Sequence, residues 1–263
     1  DLHSFPTRRS SDLEPEYFQK QEKAEQGKLF GLSFRDGVSL NCWRGYQAIY
    51  KIDNDSLFLV DIIYCSERRS GKIDKAASAE KMKAIFNDKI VNGRVYINWF
   101  SGDLSFPLTN KVLRWDGVFY TIYEREIVVS ISSGKVLTVE NVENYFDDPK
   151  RIDRKDKNKI SDILFKKIKK AKWKNADDCD CSDKYFITID EAGNISNVRM
   201  LYKPEEIEEY YDKEEYSFCV STILNSLKKL HFDIIKDKGK SIAEDIYIEI
   251  FFTDKGKIEN WTH

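Results

Sequence analysis

Histidine is scarce in this chain. There are three in 263 residues; His3 lies in a doubtful leading segment and His263 is the last residue, so His231 stands alone. A Ser-His-acid or Cys-His hydrolase would have to be built around it, whereas beside Leu230 and Phe232 it reads as a half-buried residue at a helix end. Also missing are G-x-x-x-x-G-K-[ST], G-x-G-x-x-G and G-x-S-x-G, the loops that phosphate binding and nucleophile-elbow chemistry require. Apolar runs are short: Leu57-Phe58-Leu59-Val60 and Ile127-Val128-Val129 fall far below the roughly 18 residues that span a bilayer. Charge of one sign is lacking too. The net charge is -2, so no field steers the chain to nucleic acid, and no nucleic-acid partner is expected. No cofactor, metal site or catalytic residue is expected.

Five cysteines, Cys42, Cys65, Cys179, Cys181 and Cys219, form an odd set without paired C-x-x-C spacing, which signals neither a zinc ribbon nor a full disulfide framework. A hairpin turning at Asp53-Asn54-Asp55 would bring Cys42 and Cys65 to one end. They read as two buried thiols, with a bridge as the alternative. Asp177-Asp178-Cys179-Asp180-Cys181-Ser182-Asp183 gathers four carboxylates and two thiols, but it lacks the placed glycine and distal glutamate of a calcium loop. It reads as a polar connector.

What is present is mostly β signal. Residues 1–13 are set aside, because His3 to Leu13 reads as one frame of a sequencing-adapter oligonucleotide. On that reading the native start is expected to be missing, together with any signal or anchor, so membrane anchoring stays open. Residues 14–28 are a polar linker. From 29 to 148 a β-rich domain is expected, with aromatic and β-branched runs at 46–52, 56–63, 94–100, 117–123 and 126–131. One helix interrupts it over Asp74 to Asn87, with a stripe of Ala76, Ala79, Met82, Ile85 and Phe86. Pro149 to Asn158 is densely charged and reads as a boundary or solvated face. It opens a linker, 149–183, which includes an amphipathic helix with Ile160, Ile163, Leu164 and Ile168 on one stripe.

The last segment, 184–263, has the clearest pattern. Tyr185 to Asp190 is a strand, Glu191-Ala192-Gly193-Asn194 a turn, and Ile195 to Leu201 the returning strand. After an acidic, tyrosine-rich stretch from Glu205 to Tyr216, a helix carries Val220, Ile223, Leu224, Leu227 and Leu230. Ile246 to Phe252 then alternates as a strand, and a turn at 254–257 leads to a short extension. The fold class expected is α+β: an N-terminal antiparallel β domain with one helix, followed by a small β-β-α-β domain.

Phe186-Ile187-Thr188-Ile189-Asp190-Glu191-Ala192-Gly193-Asn194-Ile195-Ser196-Asn197-Val198-Arg199 resembles the first hairpin of TonB C-terminal domains. Ile223, Leu224 and Leu227 match that family's helix, Lys238 to Ile242 its connector, and Ile246 to Phe252 its last strand. The resemblance covers about 80 of the 263 residues. Cys42 to Tyr46 and Asn98 to Leu104 are similar to bacterial proteins that carry a TonB-like tail. The resemblance implies a non-enzymatic protein of the bacterial envelope or periplasm. It would bind a protein partner, such as an outer-membrane receptor in energy-dependent transport, by adding the partner's strand to its own sheet. The partner-binding residues expected are Ile246, Tyr247, Ile248, Glu249, Ile250, Phe251 and Phe252 on an exposed edge strand, with Lys257 and Trp261 in the tail. The alternative is a hydrolase or sugar-active enzyme in the N-terminal β domain, with Arg44, Tyr46, Asp61, Trp99 and Asp103 lining a cleft.

Overall fold

A computed structural model describes residues 45–117, 120–173, 180–202, 213–253 and 256–262. The leader at 1–13, the linker at 14–28, Cys42, Arg44, Cys179 and most of the acidic stretch from Glu205 lie outside the described residues. The protein is α+β with antiparallel sheets, and it divides into two compact units between Val142 and Glu143. Among the described residues no helix is long and apolar enough to cross a membrane.

In the first unit β1 (Tyr46–Asp53) and β2 (Ser56–Tyr64) form a hairpin. Asn54 and Asp55 both have positive φ, 47° and 54°, the mirror-image turn whose twist suits flanking strands. A short helix α1 (Cys65–Ser70) and then α2 (Lys75–Phe86) follow, the latter capped by Asp74, which accepts the Ala77 N–H at 3.0 Å. After a single 3-10 turn come β3 (Ile90–Val91), β4 (Arg94–Tyr96), β5 (Gly102–Pro107), β6 (Val112–Trp115), β7 (Thr121–Tyr123), β8 (Arg125–Ser132) and β9 (Lys135–Glu143). The main sheet runs β3-β4-β2-β9-β8-β5 with β1 also on β2, and β6 and β7 pair separately. Leu57, Leu59, Ile62, Val95, Ile97, Leu104, Val129 and Ile131 form the core with Met82 and Phe86 of α2.

The buried face of α2 differs from the apolar stripe read from the sequence. Ala76 and Ala79 are exposed, while Ser78 and Lys81 are buried beside Met82 and Phe86. The cause is specific partnering. Ser78 donates to Asp61 Oδ1 at 3.0 Å and accepts the Ile62 N–H at 3.0 Å. Lys81 sets its ammonium 3.7 Å above the Tyr64 ring.

The second unit contains β10 (Tyr145–Phe146), α3 (Lys157–Ile168), β11 (Asp183–Ile189), β12 (Ile195–Met200), α4 (Lys213–Leu227), β13 (Ile234–Asp237), β14 (Lys240–Ser241), β15 (Glu244–Phe252) and β16 (Ile258–Asn260). Four strands form a sheet in the order β12-β11-β15-β16, and β10-β13-β14 form a smaller one. Both helices lie on one face of the larger sheet. Ile160, Leu164 and Ile168 of α3 and Cys219, Ile223 and Leu227 of α4 are fully buried there. They meet Tyr185, Ile187, Val198, Met200, Ile246, Ile248 and Ile250 from the strands.

Two features lie outside the sequence reading. The charged run Pro149 to Asn158 is mostly exposed, but Arg154 within it is fully buried, its Nε 3.3 Å from Glu244, which also takes Lys157 at 2.8 Å. The compensating carboxylate is ninety residues away, out of reach of any local reading of composition. The segment after α4 adds two strands, since β13 and β14 turn at Lys238-Gly239 and join β10 in the small sheet.

Candidate interaction surface

The hairpin between β11 and β12 is built by its own turn residues. Asp190 Oδ1 accepts the N–H groups of Ala192 at 3.0 Å and Asn194 at 2.7 Å, and the Gly193 N–H donates to the Asp190 carbonyl at 3.0 Å. Gly193 has φ +82°, and a Cβ there would run into the Phe232 carbonyl and the Arg151 guanidinium. This closeness is used. The Phe232 N–H donates to the Gly193 carbonyl at 2.8 Å, while Arg151 Nη1 donates to the carbonyls of Ala192 at 2.7 Å and Phe232 at 3.1 Å. His231, expected half-buried, is exposed and lies 2.8 Å from Asn194 Oδ1 through Nδ1.

The strand expected to be the exposed edge has a neighbour on each side, and the two overlap over only a short part of its length. β11 pairs with β15 from Glu244 to Ile250, and β16 covers the opposite side from Ile250 to Phe252. Pairing reaches one step further, because the Trp261 N–H donates to the Glu249 carbonyl at 2.8 Å and the Glu249 N–H to Thr262 Oγ1 at 3.1 Å. In an antiparallel ladder the backbone groups of alternate residues face opposite neighbours. The Leu201 N–H donates to Lys184, so Lys184, Phe186 and Thr188 face β12, and Tyr185 and Ile187 face β15. Ile246, Ile248 and Ile250 therefore turn their backbones toward β11. Asp245 and Tyr247 turn theirs away from it, beyond the reach of β16, where no strand among the described residues pairs with them.

The side chains divide just as sharply. Ile246, Ile248 and Ile250 are core residues under the helices. Phe252 is half-buried with its ring 5.0 Å from Trp173. Lys257 is exposed in the turn before β16. Tyr247, Glu249 and Phe251 stand on the other, open face. There Phe251 stacks on Trp261 at 4.5 Å, with the indole 51% exposed. Phe186 lies 5.9 Å from Tyr247, and Arg199 stacks over Phe186 at 4.3 Å while pairing with Asp245 at 2.9 Å. Burial first, and then Glu249, pushes the Tyr247 phenol up to about 12. Burial also raises the Asp183 carboxyl against the pull of Lys184, with Asp180 and Glu249 adding to the rise.

A disulfide joins Cys181, just before β11, to Cys219 in α4, Cα to Cα 5.6 Å. Tyr185 donates to the Cys181 carbonyl at 2.9 Å beneath it. The sequence reading missed this bridge, because the two cysteines are 38 residues apart and only the fold brings them together. Cys65, expected as a buried thiol, is also disulfide-bonded, to a cysteine outside the described residues. Among the described residues no group of three or more His, Cys, Asp or Glu side chains could hold a metal. Of the acidic connector, Asp180 accepts the Ser182 N–H at 2.9 Å.

A polar cluster with no trace in the sequence sits at the small sheet. Tyr145 Oη lies 2.6 Å from Asp233 Oδ2 and 2.7 Å from Asp153 Oδ1, and accepts the Arg154 N–H at 2.9 Å. Burial, and then Asp233, holds the phenol well above its ordinary value. The residues proposed for a cleft in the first unit occupy separate settings. Tyr46 is buried; Asp61 is buried under Lys75 Nζ at 2.6 Å and Ser78; Trp99 stacks on Phe86 at 6.1 Å; Asp103 accepts the Ser130 hydroxyl at 2.7 Å.

No protein-family model, curated protein or solved structure matches the chain.

Proposed function

We propose that the protein is a non-enzymatic component of a bacterial cell envelope whose C-terminal sheet, TonB-like in its order of elements, binds a partner protein by strand addition. The observation that carries this reading is the half-open edge of β15. One face of the sheet is filled by two helices, the other is open and aromatic, and the backbones of Asp245 and Tyr247 point to a side where no strand among the described residues pairs with them. Backbone groups at such an edge are ready to pair with another chain. The hairpin-helix-strand order agrees with the resemblance at Phe186 to Arg199. Two disulfide-bonded positions, Cys65 and the Cys181–Cys219 pair, favour an oxidising compartment such as the periplasm. The partner we propose is an outer-membrane receptor.

Site-specific photocrosslinking in cells that make the protein natively tests the reading. A crosslinker replacing Tyr247 is expected to trap an envelope β-barrel protein, and one replacing the exposed Lys228, at the end of α4, is expected to trap none. Equal trapping from both positions, or adducts only with cytosolic proteins, would overturn it.

A further inference from the structure

Of the chain's asparagines only Asn92 is followed by glycine, and the fold sets that pair at the tip of a hairpin. β3 and β4 bring Val91 opposite Arg94, which leaves Asn92-Gly93 as a two-residue turn. Both residues have positive φ, 52° and 72°, the mirror-image turn for which Asn-Gly is a preferred pair. The Asn92 side chain is exposed and makes no hydrogen bond among the described residues. A Cβ placed on Gly93 would meet nothing within 4 Å, so the space beside this backbone is open. Elsewhere the following residue carries a side chain that shields its own nitrogen, as Asp55 does after Asn54, Ile195 after Asn194 and Trp261 after Asn260.

We infer that Asn92 is a modification site, where the chain deamidates and isomerises its own backbone with water as the one co-reactant. The Gly93 backbone nitrogen attacks the Asn92 side-chain carbonyl carbon, and the new C–N bond closes a five-membered succinimide. The bond from that carbon to the amide nitrogen breaks, and the nitrogen leaves as ammonia with the proton that Gly93 gives up. Water then opens the ring at either carbonyl. Opening at the side-chain carbonyl leaves aspartate, and opening at the main-chain carbonyl leaves isoaspartate, with one extra methylene in the backbone. No electrons are gained or lost.

The closed turn holds this reaction back. Its first central residue has ψ of roughly +30°, which points the Gly93 nitrogen away from the Asn92 side chain, so the ring closes when the hairpin opens. Little resists that opening: β3 is two residues long, with Ile90 half-buried and Val91 64% exposed, and segments with few buried contacts open locally. The product disturbs what β4 supports. Tyr96 and the buried Val95 pair with Phe58 and Leu59 of β2, and Arg94 lies 3.9 Å over the Phe58 ring while paired with Asp53. An added methylene shifts Arg94 out of register with Val91, and the new carboxylate competes with Asp53 for the guanidinium.

The test ages the full chain at mildly alkaline pH and body temperature. Peptide mapping by mass spectrometry locates each amide converted to acid, and methyl transfer by an isoaspartyl methyltransferase counts the isomerised product. Asn92 is expected to convert about tenfold faster than any other asparagine among the described residues, which is about 1.4 kcal/mol in barrier, with isoaspartate as a product. Asn92→Gly keeps a left-handed turn and removes the amide, so its methyl-acceptor signal is expected to disappear. Earlier conversion at another described asparagine overturns the inference, as does a signal that survives in Asn92→Gly. An Asn92 that stays intact over a period in which the urea-unfolded chain converts there overturns it too, because the hairpin then shields the amide. The aged, isoaspartate-bearing fraction is expected to melt earlier than Asn92→Asp, which has the same charge without the extra methylene. Equal midpoints overturn the claim that isomerisation loosens β4.

Discussion

Gly193 is the residue on which the second unit's best-marked turn depends. Gly193→Ala forces a side chain into a left-handed conformation and against the Phe232 carbonyl. It is expected to cost about 1–3 kcal/mol in a urea melt, with amide protection lost first at Phe232. The Asp190-x-x-Gly193 turn was legible because the Asp190 bonds that close it are local. Tyr145 shows the opposite. Its hydroxyl meets Asp233 88 positions away, and no pattern along the chain announces such a pair. Tyr145→Phe should destabilise by about 1–3 kcal/mol, since buried Asp233 loses a donor and keeps only the Asp148 N–H. In the first unit the Arg94 guanidinium beside Asp53 holds its carboxyl below the usual carboxylate range, against a smaller opposing effect of burial. A depressed value means that the contribution is present above the unfolded-state pKa and lost as pH falls through the folded one. Acid titration of wild type against Asp53→Asn, followed by unfolding midpoint, is expected to show a steeper loss below the ordinary carboxylate range in the wild type alone.

At the scale of elements, faces were readable and neighbours were not. Alternation in Ile246 to Phe252 correctly separates a core side from an outer side, because successive side chains point opposite ways. It carries no record of what lies alongside, so β15 was taken for an edge although β16, three residues long, closes part of it. Helix stripes followed the same logic. Apolar spacing located α3 and α4 well, but α2 buries Ser78 and Lys81 because β2 supplies their partners, which spacing cannot register. The disulfide between the start of β11 and α4 clamps the helix to the sheet. Replacing both Cys181 and Cys219 by serine closes off that constraint on a 38-residue loop. It is expected to lower stability by about 2–5 kcal/mol, measured in denaturant without added reductant.

For the whole molecule, the α+β class was legible because long alternating runs and a few striped helices survive any detail of packing. The cysteine pattern was not, since an odd count hides which pairs form. Of five cysteines, Cys181 and Cys219 pair with each other and Cys65 is disulfide-bonded as well. Thiol titration of the denatured chain is therefore expected to find one free thiol before reduction and five after it. Five before reduction would remove the argument for an oxidising compartment.

The small strand β16 also governs what the sheet is protected from. An uncapped ladder edge nine residues long, rich in isoleucine and phenylalanine, is a template for unlimited stacking of copies. By holding Ile250 to Phe252, with Trp261 laid across Phe251 and bonded to the Glu249 carbonyl, β16 and the residues after it shield the apolar end of that edge. Protection from edge-to-edge stacking there thus falls to three residues, Ile258, Glu259 and Asn260.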